Sequence, residues 1–246
     1  MKLHKLQMKL VAMLLELSNK VLYRVIGRES RPVFYDVDKT NPALKKIDEN
    51  WEVILEELKA VLPKQKEIPR YDEVDPSQEQ LIKDSETNEG GVWRTLFIHL
   101  HKADLPTREM FPKTLEILES IPDCIQAWFS IMEGGQNIAP HRTRSYGYLR
   151  YHTGLIIPAE NPPKIRIKDQ FHTWEKGKSV LFDNSWEHQV YNESKENRII
   201  LITDILRPLP FFSNLLNRLT FWVVFCRFFT KDSVSHIKGT LARVVD

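Results

Sequence analysis

Pro140-His141, Tyr148-Leu149-Arg150-Tyr151-His152, Trp186-Glu187-His188 and Asn197-Arg198-Ile199-Ile200-Leu201 follow one another between Pro140 and Pro208. Three histidines and two arginines sit there among short strand-like runs. In a strand, residues two apart share a face, so Arg150 and His152 point one way while Leu149 and Tyr151 point the other. Arg198 shares a face with Ile200 and Ile202. A cation among core-forming neighbours is costly unless something anionic meets it. Two such arginines near histidines point to a bound dicarboxylate, which a guanidinium fork grips in two places. Neutral imidazole suits iron, zinc or copper. His141 follows a proline in a turn, and His188 follows Trp186 at a strand edge, where a ligand can be displayed and still be reached. His99 and His101 form a rival i, i+2 pair, and spacing alone leaves the choice open. His4, His172 and His236 are expected to be ordinary histidines, and Arg166 an ordinary surface ion-pair partner.

Around these motifs the period is that of strands. Gln126–Met132, 147–157, Lys164–Lys168, Ser179–Phe182, Glu187–Asn192 and Arg198–Ile205 are short and rich in β-branched and aromatic residues. Gly134-Gly135, Asn161-Pro162-Pro163, Glu175-Lys176-Gly177 and Asn192-Glu193-Ser194 supply turns between them. Short, regularly spaced strands predict a β-sandwich or barrel rather than βαβ units.

Four units are expected: an amphipathic basic helix within 1–31, a helical lead-in with the first strand over 32–124, the core over 125–208, and a hydrophobic, basic segment over 209–246. Leu3, Leu6, Leu10, Met13, Leu17, Val21 and Val25 make the first helix amphipathic. It either packs on the body or lies on a membrane surface. Ile47, Trp51, Ile54, Leu55, Leu58 and Leu62 predict a helix that ends at Pro63. Residues 64–90 are charged and predict an exposed loop. Trp93–Leu100 alternates like a strand, and Pro112–Ile121 reads as a short helix. Residues 208–229 have the length of a membrane span, ~20 residues, but Asn214, Asn217, Arg218 and Arg227 interrupt them. The preferred expectation is a helix in the membrane interface anchored by Trp222 and phenylalanines; a helix docked on the barrel or at a dimer contact is the alternative.

The chain has 246 residues and a net charge of +2. That sum hides a division: residues 1–31 carry +5 and residues 207–246 carry +4, so the body between them is net negative by seven. Basic ends suit a nucleic acid or an anionic membrane. With the aromatic tail, the expectation is a membrane and no nucleic acid, with a homo-oligomer left open. Cys124 and Cys226 are the only cysteines and lie in no CxxC pattern, which excludes a disulfide framework and suits a reducing cytoplasm. No cleavable signal peptide is evident, since Glu16 breaks the run Leu10–Leu17.

The run from Trp128 to Pro208 resembles the catalytic domain of the aspartyl/asparaginyl β-hydroxylase superfamily of iron(II)- and 2-oxoglutarate-dependent dioxygenases. The resemblance is carried by Phe129-Ser130-Ile131-Met132, Pro140-His141, Leu149 to Leu155, Lys164-Ile165-Arg166 and Trp174 to Lys178. It continues through Phe182 to His188 and Arg198 to Leu201 with Asp204. It implies a mainly β fold: a double-stranded β-helix, or jelly roll, with N-terminal helices and a hydrophobic C-terminal helix. It further implies iron on His141 and His188, the distal carboxylate of 2-oxoglutarate on Arg198 and Ser130, its other end near Arg150 and His152, and O2 as co-substrate. Many iron oxygenases add a carboxylate two residues after the first histidine. Here that position is Thr143, as in some animal members that also lack it. Asp183 and Glu187 are near in sequence but are not expected as ligands.

Within the superfamily, Leu149–Gly154 and the exit Ile205-Leu206-Arg207-Pro208 look more like the bacterial lipid A and ornithine-lipid hydroxylases. The expectation is therefore hydroxylation of a membrane lipid's acyl chain by a peripheral or monotopic protein on the cytoplasmic side of the membrane. Two alternatives stand beside it: a soluble, cytoplasmic peptide or amino-acid hydroxylase, and a non-catalytic β-barrel binding protein, prompted by Thr143.

Overall fold

A computed structural model describes residues 2–85, 91–101, 103–143, 145–223 and 230–245. Two antiparallel sheets face each other. The major sheet has the order β1-β8-β5-β10-β3-β2 and the minor sheet β4-β9-β6-β7. The major-sheet strands are β1 (Phe34–Tyr35), β2 (Trp93–Leu100), β3 (Cys124–Met132), β5 (Tyr148–Ile156), β8 (Ser179–Phe182) and β10 (Arg198–Leu206). The minor sheet comprises β4 (Ile138–His141), β6 (Lys164–Ile167), β7 (Gln170–Thr173) and β9 (His188–Tyr191). From β3 onward consecutive strands alternate between the sheets, except for the β6–β7 hairpin. That winding is the jelly roll expected from the sequence.

Alternation sets what each face does. Leu149, Tyr151 and Leu155 on β5, with Ile199, Leu201 and Ile205 on β10, are buried on the outer face. A helical layer covers them: α2 (Val37–Thr40), α3 (Lys45–Glu49), α4 (Trp51–Val61) and α7 (Pro112–Glu119). In α4, Ile54, Leu55, Leu58 and Val61 recur at helical spacing and are buried. α4 packs on β5 and α7, and α7 packs on β2 and β3. The inner face instead carries Arg150, His152, Ser130 and Arg198.

The lead-in departs from expectation at two points. Residues 64–85 are not a loop. They form 3-10 turns with α5 (Tyr71–Val74) and α6 (Glu79–Ser85), because Ile68, Val74 and Ile82, though sparse, each bury one side of a turn. Phe34 and Tyr35 form an edge strand paired with Phe182 and Leu181. The remainder of the expected loop, 86–90, lies outside the described residues.

The ends form three helices: α1 (Lys2–Val25), α8 (Phe211–Phe221) and α9 (Thr230–Val245). α1 packs against α8, and α9 packs on α5 and β2. The segment 209–246, expected as one membrane-associating unit, is thus divided. Ile237, Leu241 and Val244 of α9 are buried in the body, while α8 is exposed along one side. Residues 224–229, including Cys226 and Arg227 of the expected tail, lie outside the described residues. Among the described residues no helix is long and apolar enough to cross a membrane.

Candidate active site

β4 and β9 bring His141 and His188 face to face as register partners, with ring centroids 4.2 Å apart. Each ring is oriented the same way. His141 Nδ1 donates to the Ala139 carbonyl at 2.8 Å, and His188 Nδ1 donates to the Trp186 carbonyl at 2.9 Å. A carbonyl only accepts, so Nδ1 carries the proton in both rings and each Nε2 keeps its lone pair. Burial pushes the His141 pKa down to about 4. Burial, with His141 beside it, holds His188 well below the usual histidine range. Two neutral imidazoles fixed by backbone carbonyls and offering Nε2 fit a divalent metal such as iron(II).

No third His, Cys, Asp or Glu joins them among the described residues. Thr143 is bound to the Tyr148 hydroxyl at 2.6 Å. Asp183 is fully buried between Arg31 (3.1 Å) and Arg207 (2.8 Å), and Glu187 pairs with Arg166 at 2.9 Å. Each carboxylate near the histidines in sequence therefore has a cation of its own. The rival pair is elsewhere: His99 lies on β2 opposite Ala127, and His101 meets Phe221 of α8 edge-on.

From the histidine pair a chain of ring contacts crosses the inner face. Phe182 meets His188 at 6.2 Å and His152 at 4.8 Å. His152 lies 5.8 Å from Trp174, whose ring sits 4.6 Å beneath the Arg198 guanidinium. At this end, polar groups are buried without enough partners. Arg198 is 1% exposed. Its Nη1 reaches Ser130 Oγ at 3.3 Å, its Nη2 reaches only the Met132 sulfur at 3.6 Å, and its Nε has no partner. No carboxylate pairs with it among the described residues. Burial alone pulls its pKa down to about 9. His152 is 4% exposed with both ring nitrogens unpartnered, and Trp174 Nε1 is unpartnered as well. Burial, then the charges of Arg150 and Arg198, hold His152 well below the usual range.

Ser130 Oγ accepts from Trp93 Nε1 at 2.9 Å and from Arg198, so its own proton is free to be given away. A buried guanidinium, a spare hydroxyl proton and an unpartnered imidazole together make a socket for a carboxylate.

Arg150 differs. Its Nε and Nη2 are gripped by Asp204 at 2.8 and 2.9 Å, and Gln126 donates to the same carboxylate at 2.7 Å. Of the two arginines read alike from the sequence, only Arg198 lacks a carboxylate. Arg150 acts on the site through its charge, which also bears on His141 and His188. The residue-level expectations missed Trp93, Trp174, Phe182 and the partner role of Asp204. For Asp204 a signal was present: it shares the β10 face of Arg198, six residues on. Trp174 reaches the site from outside any strand; it opens one of the motifs that carry the resemblance, but strand alternation gives it no role.

Comparison with known proteins agrees with this geometry. Residues 48–208 match the Aspartyl/Asparaginyl beta-hydroxylase family. An ornithine lipid ester-linked acyl 2-hydroxylase of Rhizobium tropici is 31% identical over 180 residues, covering 72% of this chain and 62% of that protein. The human aspartyl/asparaginyl beta-hydroxylase is 32% identical over 195 residues, covering 76% of this chain and 24% of that protein. The chain thus spans less than two thirds of the length of either relative. The family match takes in the helical layer from Asp48, the histidine pair and the carboxylate socket, and the chain belongs to the aspartyl/asparaginyl beta-hydroxylase family.

Proposed function

We propose that the chain is an iron(II)- and 2-oxoglutarate-dependent hydroxylase acting on an aliphatic carbon of a lipid acyl chain. The observation that carries this is Arg198, buried without a carboxylate at one end of a run of contacts that starts at His141 and His188. One end of that run fits a metal and the other fits a carboxylate, which suits a chelating keto acid with a distal carboxylate.

His141 and His188 would hold the iron through Nε2, their second nitrogens tied to backbone. Iron(II) with 2-oxoglutarate and O2 supplies the oxidising power to place one oxygen atom in a C–H bond while the keto acid becomes succinate and carbon dioxide. Arg198 and Ser130 hold the distal carboxylate, the first by charge and the second by its unused proton. His152, neutral, offers a donor on one nitrogen and an acceptor on the other. Phe182 and Trp174 stand between the two ends and would keep water from the bound keto acid, which strengthens each polar contact. Asp204 keeps the charge of Arg150 from competing with Arg198 for the ligand.

The R. tropici relative, named as a lipid acyl hydroxylase, supports the lipid as substrate. The similarity to the human enzyme favours a second reading, hydroxylation of Asp or Asn in a peptide. Oxygen-dependent succinate formation by the iron-loaded protein separates them. The lipid reading expects stimulation by a membrane lipid extract. Stimulation by Asp-containing peptides, with none by lipid, would overturn it.

A further inference from the structure

α8 is inside out. It buries Asn217 and Thr220 and exposes Phe211, Phe212, Leu215 and Leu219, with Trp222 exposed just past its end. Phe212 is 83% and Phe211 76% exposed. The spacing 212, 215, 219, 222 is one helical stripe. α1, packed against α8, buries Val11, Ser18 and Leu22 and leaves a second apolar stripe, Leu10, Met13 and Leu17, exposed. Continued along the helix, that outer stripe reaches Lys20 and Arg24. Lys20 is paired with Glu16 at the surface.

Both helices grip the loop that leaves His141. Asn19 of α1 accepts from Tyr146 N at 3.2 Å, and Asn217 of α8 donates to the Gly147 carbonyl at 2.7 Å. A Cβ at Gly147 would stand 2.2 Å from Asn217 Oδ1, so a larger residue there would push the Asn217 side chain out of place. Asn19 and Asn217 thus tie both helices to Tyr146 and Gly147, while the apolar stripes on the outside of α1 and α8 stay exposed.

We infer that α1 and α8 together form one platform that seats in an anionic lipid bilayer, with Tyr146 and Gly147 tied to it through Asn19 and Asn217. An apolar stripe of this kind without a partner marks an interaction surface. Charge selects a membrane as the occupant: residues 1–31, which hold α1, carry +5, with Lys20 and Arg24 on its outer stripe, whereas residues 32–206 are net negative by seven; α8 adds only Arg218, paired with Asp123. An anionic surface attracts the platform and repels the remainder, which fixes the orientation. Aromatic anchors beside basic residues match an interfacial helix. The inference rests on the lipid-hydroxylase reading for its purpose but not for its test.

The test is flotation of the full chain with vesicles, without cofactor or substrate. Binding to phosphatidylcholine vesicles containing phosphatidylglycerol is expected to be roughly tenfold or more tighter than to phosphatidylcholine alone. A Phe212→Ser/Leu215→Ser/Leu219→Ser variant is expected to lose roughly tenfold or more of that binding with an unchanged melting temperature. Lys20→Glu/Arg24→Glu should weaken binding to anionic vesicles alone. Absence of flotation, equal flotation of the triple variant, or a dimer in light scattering that the triple variant dissolves would each overturn the platform. Lipid-stimulated succinate formation without flotation would leave the hydroxylase reading standing; flotation without such stimulation would do the reverse.

Discussion

Arg150 and Arg198 project from neighbouring strands onto the same inner face of the major sheet, and the protein treats them in opposite ways. Arg150 has a carboxylate built in: Asp204 is its register partner and meets it with two bonds. Burial works against its charge, but Asp204 outweighs this and its pKa ends above the ordinary value. Arg198 has the hydroxyl and carbonyl of Ser130, a sulfur and the face of an indole, and burial takes its pKa down to about 9. A cation given its partner by the fold holds the sheet together. A cation denied one is, on the proposed function, left to meet a ligand.

The sharpest way to break this contrast is Asp204→Asn. It leaves Arg150 buried without a counter-charge and is expected to cost about 3–5 kcal/mol in denaturant unfolding. A loss under about 1 kcal/mol would mean that Arg150 is no more structural than Arg198.

Next in size is the pH response of the metal-free protein. The His141 imidazole binds its proton near pH 6.5 when unfolded but only near pH 4 when folded. Across that window the unfolded chain holds the extra proton, so stability falls as pH drops from 6.5 towards 4. His141 alone accounts for roughly 3 kcal/mol of this, and His188 and His152 act in the same direction. A stability flat between pH 7 and 4.5 would remove the account of neutral, metal-ready imidazoles.

Thr143→Val should have the smallest effect. It removes one hydrogen bond, to Tyr148, worth about 1 kcal/mol, and should leave metal affinity unchanged. A tenfold loss of metal affinity would make Thr143 a ligand after all.

Much of this architecture is legible in the residues. β3, β5 and β10 announce themselves by β-branched runs, and α4 by its stripe of Ile54, Leu55 and Leu58. β4 does not: four residues that include Pro140 look like a turn at a strand edge, and nothing in them shows that His141 lies opposite His188. Residues 64–85 mislead because their charges face solvent while single apolar residues anchor each turn. At the site, the pattern showed that Arg150 and Arg198 were costly but not which one was paid for. That depends on Asp204 lying opposite Arg150 across the sheet, a matter of register that no local pattern states. The choice of His141 and His188 over His99 and His101 likewise came from resemblance to a family, because spacing treats both pairs alike.

The account turns on Arg198, and titration calorimetry of the metal-loaded protein with 2-oxoglutarate tests it most directly. Arg198→Met is expected to weaken binding by about 2–5 kcal/mol, roughly 30-fold or more. Because it removes an uncompensated buried charge, it should also leave the ligand-free chain as stable or more stable by about 1–4 kcal/mol. Unchanged affinity in a variant that still folds would contradict the assignment of Arg198 to the ligand.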